Sequence, residues 1–266
     1  MSGGRTSRGR RPRALALVAT LLATACSGSL PPLRGQMEVG RDAYAVFVGG
    51  GGAAGGDLYA VRTEGGVVVP ITFTGVGEMR PALSPDGSMA AFLRGTSLRD
   101  SVPGSVWVMN LLSGAEREID LPPGAGPPRR VAWMHDGRGV FVESASGIYR
   151  TSVPPDAGAT LVSQSERAPA ESALAVLLGR PAFARVIPCA EEGALCTAGD
   201  TGTPGFLARG ARDAFRWGDD SVAFFVGNAV EIRPLGAGRA RRLGWRSPPS
   251  HPRQMTVFLG SARPSS

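Results

Sequence analysis

The sequence contains no lysine and only two histidines, so its 29 lysine-plus-arginine residues are all arginines. Without lysine, the chain cannot form a Schiff base or the lysine contact of a phosphate-binding loop. His135 and His251 have no partner at the spacing of a metal site. We therefore expect neither a metal ion nor a cofactor.

Motifs of several enzyme classes are missing as well. The chain has no Gly-x-Ser-x-Gly nucleophile elbow and no phosphate-binding loop. Glycines at 49–52 and 55–56 resemble a nucleotide-binding loop in composition, but they join two predicted strands and open no helix. This glycine run therefore predicts a hairpin loop.

The net charge of +7 is concentrated at the N-terminus. Five arginines and no acidic residue precede Cys26, which leaves 24 basic and 22 acidic residues in the rest of the chain. Nucleic-acid binding needs a basic patch in the folded domain, so we expect no nucleic-acid partner. The strongest remaining cluster is predicted to be a solvated strand and loop, and comprises Arg239, Arg241, Arg242 and Arg246.

The first 25 residues have the organisation of a secretory signal. Arginines between positions 5 and 13 precede an apolar run at 14–23, and small residues lead to Cys26. The run is shorter than the roughly 20 residues of a membrane span. One interpretation is an ordinary secretion signal that is followed by a chance cysteine.

The segment Leu22–Cys26 resembles the lipobox of bacterial lipoproteins. This resemblance implies that Cys26 becomes the mature N-terminus and carries diacylglycerol and palmitate, which anchor the protein to a membrane. Ser27 is consistent with sorting to the outer membrane if the bacterium is Gram-negative. We expect a signal peptide at 1–25, a flexible tether at 26–41, a folded domain at 42–260 and a disordered tail at 261–266.

The folded domain contains a repeated pattern of an apolar strand, a tight turn at aspartate, and a second strand that ends in phenylalanine. Asp-Gly is a strong turn pair because glycine accepts positive φ and aspartate hydrogen-bonds its own backbone. The predicted turn residues are Asp42, Asp86, Gly87, Asp136, Gly137 and Asp219. The long interval before Asp219 predicts a degenerate copy near residues 179–187.

A second series of short strands follows the phenylalanines. It comprises Leu58–Arg62, Val106–Asn110, Ile148–Thr151, Leu195–Ala198 and Val230–Arg233. Units of four short strands at intervals of about 40 to 50 residues are typical of a β-propeller. The sequence therefore predicts an all-β propeller of five four-stranded blades, with six as the alternative. A strand at 255–259 is expected to close the ring, because an open ring leaves an unpaired edge.

Leu83-Ser-Pro-Asp86-Gly87, followed by Met-Ala-Ala-Phe92, resembles the propeller repeat of TolB-type proteins. The resemblance implies a propeller that binds other envelope proteins from the periplasmic side. TolB-type propellers have six blades, so five is a departure from that family.

Two cysteines remain after Cys26. Cys189 and Cys196 flank a predicted hairpin turn, and an even pair in an exported protein favours a disulfide. Two buried free thiols are the alternative.

The candidate functional side chains are acids and tryptophans. Asp86, Asp136 and Asp219 recur at matching turns, which favours a structural role over catalysis. The non-repeating acids are Glu78, Glu143, Glu171 and Asp213. Trp107, Trp133 and Trp217 are predicted to pack between blades, whereas Trp245 lies beyond the last repeat and is the freest to bind a ligand.

The favoured function is that of a non-catalytic envelope lipoprotein whose propeller binds or scaffolds proteins. The first alternative is an envelope enzyme acting on glycans or lactones, which requires a pair of acids at the channel. The second is a propeller that binds sugars or other small ligands. Non-repeating acids clustered at the channel mouth would favour the enzyme, and scattered acids would favour the binding module.

Overall fold

The computed structural model describes residues 33–50, 56–96, 103–154, 159–164, 185–189, 194–198, 205–218, 221–234 and 238–260, which form strands and turns. The strands are β1 (Tyr44–Gly49), β2 (Asp57–Arg62), β3 (Gly66–Val67), β4 (Val69–Pro70), β5 (Glu78–Leu83), β6 (Met89–Arg94), β7 (Ser105–Asn110), β8 (Glu116–Ile119), β9 (Pro128–Trp133), β10 (Gly139–Ser144), β11 (Gly147–Ser152), β12 (Thr160–Gln164), β13 (Arg185–Pro188), β14 (Ala194–Ala198), β15 (Gly205–Arg209), β16 (Ala211–Trp217), β17 (Ser221–Val226), β18 (Ala229–Pro234), β19 (Arg241–Arg242), β20 (Trp245–Arg246) and β21 (Arg253–Phe258).

These strands form five antiparallel sheets, which are the blades of a β-propeller. From the central channel outwards, blade 1 has the order β21-β1-β2-β4, blade 2 has β5 to β8, and blade 3 has β9 to β12. Blade 4 has the three described strands β13 to β15, and blade 5 has β16 to β19. A parallel pair, β3 and β20, adds a small link between blades 1 and 5. The predicted all-β propeller is confirmed.

The ring is closed by a strand from each end of the domain. β21 pairs antiparallel with β1, so that Tyr44 faces Phe258 and Val46 faces Thr256. β21 also packs between the inner strands β16 and β5 of the two neighbouring blades. The strand predicted at 255–259 is therefore present, and it begins two residues earlier.

All six residues of β1 are buried, because alternate side chains enter apolar clusters on both faces of the strand. Tyr44, Val46 and Val48 belong to the apolar cluster shared with blade 2, which includes Phe92 and Met109. Ala45 and Phe47 point the other way, into the cluster shared with blade 5. A strand that is covered on both faces reads as a continuous apolar run, as Tyr-Ala-Val-Phe-Val does here.

The predicted tryptophan packing is confirmed for Trp107, Trp133 and Trp217, each of which contacts an apolar cluster between blades. Trp133 also donates a hydrogen bond from Nε1 to the Ala82 carbonyl of blade 2, at 2.9 Å. The prediction for Trp245 is wrong. Its ring centroid lies 5.0 Å from that of Phe47, within the cluster between blades 1 and 5, because β20 pairs with β3 there.

The Asp-Gly turns join the two inner strands of their blades. Asp86 accepts hydrogen bonds from the Ser88 amide at 3.0 Å and the Ser84 hydroxyl at 2.6 Å. Asp136 accepts one from the Arg138 amide at 3.0 Å. Asp42 lies just before β1, where it accepts a hydrogen bond from the Glu38 amide at 2.8 Å. Asp219 lies outside the described residues.

The predicted tether overlaps a folded segment. Leu33 is fully buried and Met37 is 6% exposed in the cluster between blades 1 and 2. Backbone hydrogen bonds from Gln36 and Met37 to the Leu33 carbonyl close a turn there. Two apolar residues four positions apart therefore pack this segment against the propeller, despite its Pro- and Gly-rich neighbours.

Blade 4 contains a disulfide between Cys189 and Cys196, with a Cα separation of 5.2 Å. Cys189 follows β13 and donates a backbone hydrogen bond to the Ala194 carbonyl, and Cys196 lies in β14. The degenerate repeat predicted at 179–187 falls mainly outside the described residues, and its last three positions lie in β13.

Candidate functional site at the channel mouth

The inner strands of three blades share an unusual backbone feature near their beginnings. Arg80 in β5, Asp213 in β16 and Gln254 in β21 have φ values of 53°, 49° and 51°. The strand register is interrupted at each of these positions, as in a β-bulge. Non-glycine residues at positive φ are strained, and such strain is often found at functional sites. The sites coincide at one end of the central channel, here called the channel mouth.

The channel mouth is a cavity of about 440 Å³ between the inner strands. Arg80 and Arg130 line it from blades 2 and 3, Asp213 from blade 5, and Gln254 from blade 1. The Arg80 amide donates a hydrogen bond to Gln254 Oε1 at 2.7 Å, and Arg80 Nη1 donates to the Arg129 carbonyl at 2.6 Å. These bonds fix the mouth by linking blades 1, 2 and 3.

Arginines dominate the charge around this mouth. Arg212 precedes Asp213 and Arg253 precedes Gln254, but neither arginine lines the cavity. Arg212 instead donates hydrogen bonds to the Pro252 carbonyl at 2.6 Å and the Gly227 carbonyl at 2.7 Å. Desolvation lowers the pKa of Arg80, and the charge of Arg130 lowers it further. Burial likewise lowers the pKa of Arg253, with Asp213 raising it and Arg212 lowering it. We call Arg80, Arg130, Arg212 and Arg253 the arginine cluster.

Sequence reasoning missed this cluster. Its signal is an arginine near the beginning of each inner strand, in Met-Arg80-Pro, Arg-Arg130-Val, Ala-Arg212-Asp and Pro-Arg253-Gln. The repeat is recognised by its Asp-Gly turns, which lie at the opposite ends of the same inner strands. The inner position of β21 was needed to place Arg253 beside the other three.

Of the non-repeating acids, Glu78 is fully buried where β5 begins. Its carboxylate accepts hydrogen bonds from the Thr74 hydroxyl at 2.6 Å, the Thr72 hydroxyl at 3.2 Å and Arg94 Nε at 3.2 Å. Burial is the largest influence and raises the pKa of Glu78 to about 7, and the nearby Asp57 also raises it. Because no solvent reaches Glu78, this group serves as a link between blades and cannot meet a substrate.

The other described acids are also paired, each within its own blade. Glu143 is 3% exposed, and its Oε2 lies 3.8 Å from Arg130 Nε. Asp213 Oδ2 lies 3.6 Å from Arg212 Nη1. Glu171 lies outside the described residues. The structure thus distributes Glu78, Glu143 and Asp213 over blades 2, 3 and 5 and pairs each with an arginine.

The other end of the channel has a different character. A cavity of about 240 Å³ lies between the ends of the inner strands, next to the Asp-Gly turns. It is bordered by Trp133, His135, Thr256 and Phe258, and none of the described residues that line it is acidic. The arginine cluster therefore distinguishes one end of the channel from the other.

The positive cluster predicted from the sequence lies on the outer part of blade 5. Arg241 and Arg242 are exposed on β19, and the Arg241 guanidinium lies 5.5 Å above the Trp217 ring. These residues form the solvated strand and loop that the sequence predicts. Among the described residues there is no group of three potential metal ligands, and none of them forms a helix able to span a membrane. Cys26 lies outside the described residues.

No family model matches the chain, and no curated protein matches it. Among solved structures, a nidogen/laminin complex is 11% identical, with 82% of this chain and 100% of that chain covered and a TM-score of 0.49. A putative TolB from Agrobacterium tumefaciens is 18% identical over 76% of this chain, with a TM-score of 0.35, and the match spans 61% of that chain.

The periplasmic gluconolactonase of Pseudomonas aeruginosa is also 18% identical, over 76% of this chain and 67% of that chain, with a TM-score of 0.31. At these identities the similarity concerns the fold and gives no activity or partner for this chain. The sheet order is the direct evidence that the chain is a β-propeller.

Proposed function

We propose that this protein is a non-catalytic binding module of the bacterial cell envelope, and that its propeller binds a partner protein at the channel mouth. The observation that carries this proposal is the arrangement of carboxylates. Hydrolysis by paired acids needs two carboxyl groups about 5 to 9 Å apart that flank a substrate. Glu78 is sealed from solvent, and Glu143 and Asp213 lie in different blades, each paired with an arginine of its own blade.

The composition of the mouth face supports protein binding. Phe73 is 76% exposed in the segment that leads to β5. Its neighbours Thr72 and Thr74 are bound to Glu78 where β5 begins, which places Phe73 on the same face as the arginine cluster. Arginine and aromatic residues are enriched at protein interfaces, where they supply much of the binding energy.

Two features support an envelope location. Cys26 follows a signal-like segment with a lipobox, which would anchor the chain to a membrane with the propeller facing the periplasm. The disulfide between Cys189 and Cys196 fits an oxidising compartment. The outer membrane is favoured if the bacterium is Gram-negative.

Site-specific photocrosslinking in the native envelope tests this proposal. A photoreactive phenylalanine analogue at position 73 samples the mouth face. The same analogue at position 112 is the matched control, because Leu112 is 48% exposed in the β7–β8 turn, beside the Asp-Gly turn at the opposite face. We expect a reproducible protein adduct from position 73 and none from position 112.

Equal labelling from both positions, or none from position 73, would contradict a partner at the channel mouth. The purified full-length chain should also leave lactones and envelope glycans intact. Turnover of either substrate, abolished by substitution of a described acid, would replace the binding module with an enzyme.

A further inference from the structure

The N-terminal segment lies on the face of the propeller that carries the Asp-Gly turns, here called the turn face. The Gln36 carbonyl accepts a hydrogen bond from Arg62 Nη2 at 2.9 Å, where β2 ends on this face. A Cβ at Gly40 would lie 3.3 Å from the Asp86 carbonyl in the turn of blade 2. Leu33, at which the described part of the chain begins, closes a backbone turn with Gln36. The folded chain therefore begins at the end of the propeller opposite to the channel mouth.

The connection between Leu33 and the predicted lipid on Cys26 is short. The two residues are seven positions apart, and a fully extended chain of this length spans at most roughly 25 Å. The channel mouth lies at the other end of six-residue strands, roughly 20 Å further along the channel. Contact of the mouth with lipid would need the connection to be almost fully extended along the side of the propeller, at a large cost in conformational entropy. The turn face, in contrast, can meet lipid with a much shorter connection.

Two exposed leucines lie on the turn face. Leu112 is 48% exposed in the turn between β7 and β8, and Leu259 is 49% exposed directly after β21. Leu259 borders the cavity at this end of the channel and also a second cavity on blade 5. Apolar side chains gain free energy by leaving water, so both leucines are suited to the interfacial region of a lipid layer.

The second cavity combines an apolar floor with two positive charges. Its volume is about 350 Å³, and Trp217, Ile232 and Pro234 form its floor beside Arg239 and Arg241. Both arginines are exposed, and none of the described residues that line the cavity carries a carboxylate. Guanidinium groups form strong, charge-assisted hydrogen bonds with phosphate oxygens. These two arginines therefore suit the phosphates of lipid headgroups.

Several carboxylates of the turn face are engaged within it. Asp42 Oδ2 and Glu64 Oε1 lie 2.7 and 3.8 Å from Arg62 Nη1. Asp86 and Asp136 accept hydrogen bonds from backbone amides of their own turns. These acids offset much of the positive charge of the face. The short connection and the leucines therefore carry the argument, and the two arginines of the cavity add contacts with headgroups.

We propose that the turn face docks on the phospholipid surface to which the chain is anchored, so that the channel mouth points away from the membrane. Because the anchor holds this face close to the lipid, its local concentration at the surface is high and weak contacts are sufficient to orient it. This inference rests on the proposed function, because it needs the lipid on Cys26 and gives the direction in which the mouth is presented to a partner.

Fluorescence quenching by a labelled lipid tests this orientation. The full chain, purified in detergent with its N-terminus as processed in the cell, is added to vesicles of phosphatidylcholine and phosphatidylglycerol in equal parts that contain a lipid with a nitroxide on its headgroup. A fluorophore is attached to Ser113→Cys on the turn face, or to Gly75→Cys on the mouth face, where a Cβ meets nothing within 4 Å. The disulfide between Cys189 and Cys196 protects those thiols from labelling. We expect strong quenching at position 113 and little at position 75.

A variant with both Arg239→Gln and Arg241→Gln tests the headgroup contacts. Each arginine near an anionic lipid surface favours binding by about fivefold, so the ratio of docked to undocked protein should fall by about tenfold or more. The measured effect is a loss of quenching at position 113. The matched control combines Arg117→Gln with Arg129→Gln, which removes two exposed arginines of β8 and β9 away from the turn face and should leave quenching unchanged. Thermal melts establish that both variants are folded.

Equal quenching at the two positions, stronger quenching at position 75, no quenching at either position, or the same quenching in the two double variants would overturn the inference. These outcomes are distinguishable from failure of the proposed function. Protein that pellets with membranes but is quenched equally at both positions would keep the anchor and remove the docking. Quenching confined to position 113, without a protein adduct at position 73, would keep the docking face and remove the partner at the mouth.

Discussion

At Glu78, burial and electrostatics have opposite effects on the pKa: burial raises it, whereas the hydrogen bond from Thr74 and the charge of Arg94 lower it. Glu78 belongs to β5 of blade 2, and its backbone exchanges hydrogen bonds with Gly56 of blade 1. Arg94 contacts both Glu78 and Glu116 and lies 4.3 Å above the Trp107 ring. Glu78 therefore contacts blade 1 through its backbone, and through its carboxylate it contacts Arg94, which stacks on Trp107 within blade 2.

The pKa of Glu78 predicts an unusual pH dependence of stability. Because the pKa rises from its ordinary value near 4.5 to about 7 on folding, the folded state binds a proton more tightly than the unfolded state. The stabilising contribution is fully present below pH 4.5 and is lost as pH rises through 7. We expect the free energy of unfolding to fall by about 3 kcal/mol across this range, measured by urea denaturation.

Glu78→Gln should remove most of this pH dependence, because the glutamine side chain has nearly the same shape and does not titrate. Glu116→Gln is the matched control, since it removes the other carboxylate that contacts Arg94. The explanation is wrong if the two variants have the same pH profile.

The Asp-Gly turn of blade 2 contacts two strands of blade 1 as well as its own hairpin. Gly87 has a φ of 69°, and its carbonyl accepts a hydrogen bond from the Tyr44 hydroxyl. A Cβ at position 87 would lie 2.6–2.7 Å from the Phe258 ring of the closing strand. Glycine is needed here both for the positive φ and for the close approach of β21.

Gly87→Ala is therefore expected to lower the free energy of unfolding by about 2–4 kcal/mol, from backbone strain and the contact with Phe258. Gly227→Ala serves as the control, because its φ is 60° and a Cβ there would meet nothing within 4 Å. It isolates the strain and should cost about 1 kcal/mol. Equal losses in chemical denaturation would show that contact with the closing strand has no effect.

At the level of elements, much of the fold could be predicted from the sequence, because strands and tight turns are specified by residues that are close together in the chain. Strand alternation and turn pairs locate the hairpins, and the need to pair an exposed edge indicates the closing strand. The burial of Leu33 and the contacts of Trp245 could not be predicted, because they depend on which blades meet in space. The arginine cluster was missed for the same reason, as its members come from four separate strands.

At the scale of the whole molecule, the first expectation concerns attachment to the membrane. Lipidation of Cys26 would place the propeller beside the membrane, connected through the segment that packs against blades 1 and 2 at Leu33 and Met37. This short connection would limit how far the channel mouth can reach from the lipid surface.

Cys26→Ser is expected to release the protein from membranes, because the serine hydroxyl cannot take the thioether-linked diacylglycerol. Fractionation of cells should find the variant in the soluble envelope fraction and the wild type in the membrane pellet. Retention of the variant in the pellet after a carbonate wash would exclude lipid at Cys26 as the anchor.

The pairing of β21 with β1 also has a consequence for the order of folding. These two strands are neighbours in space but lie at opposite ends of the propeller in sequence. Blade 1 therefore cannot be completed until β21 has been synthesised and can pair, and β1 keeps an unpaired edge until then. Contacts between distant segments slow folding, and unpaired edges promote aggregation. A chain of this design is therefore most prone to aggregation during the interval between the emergence of its first strand and of its last.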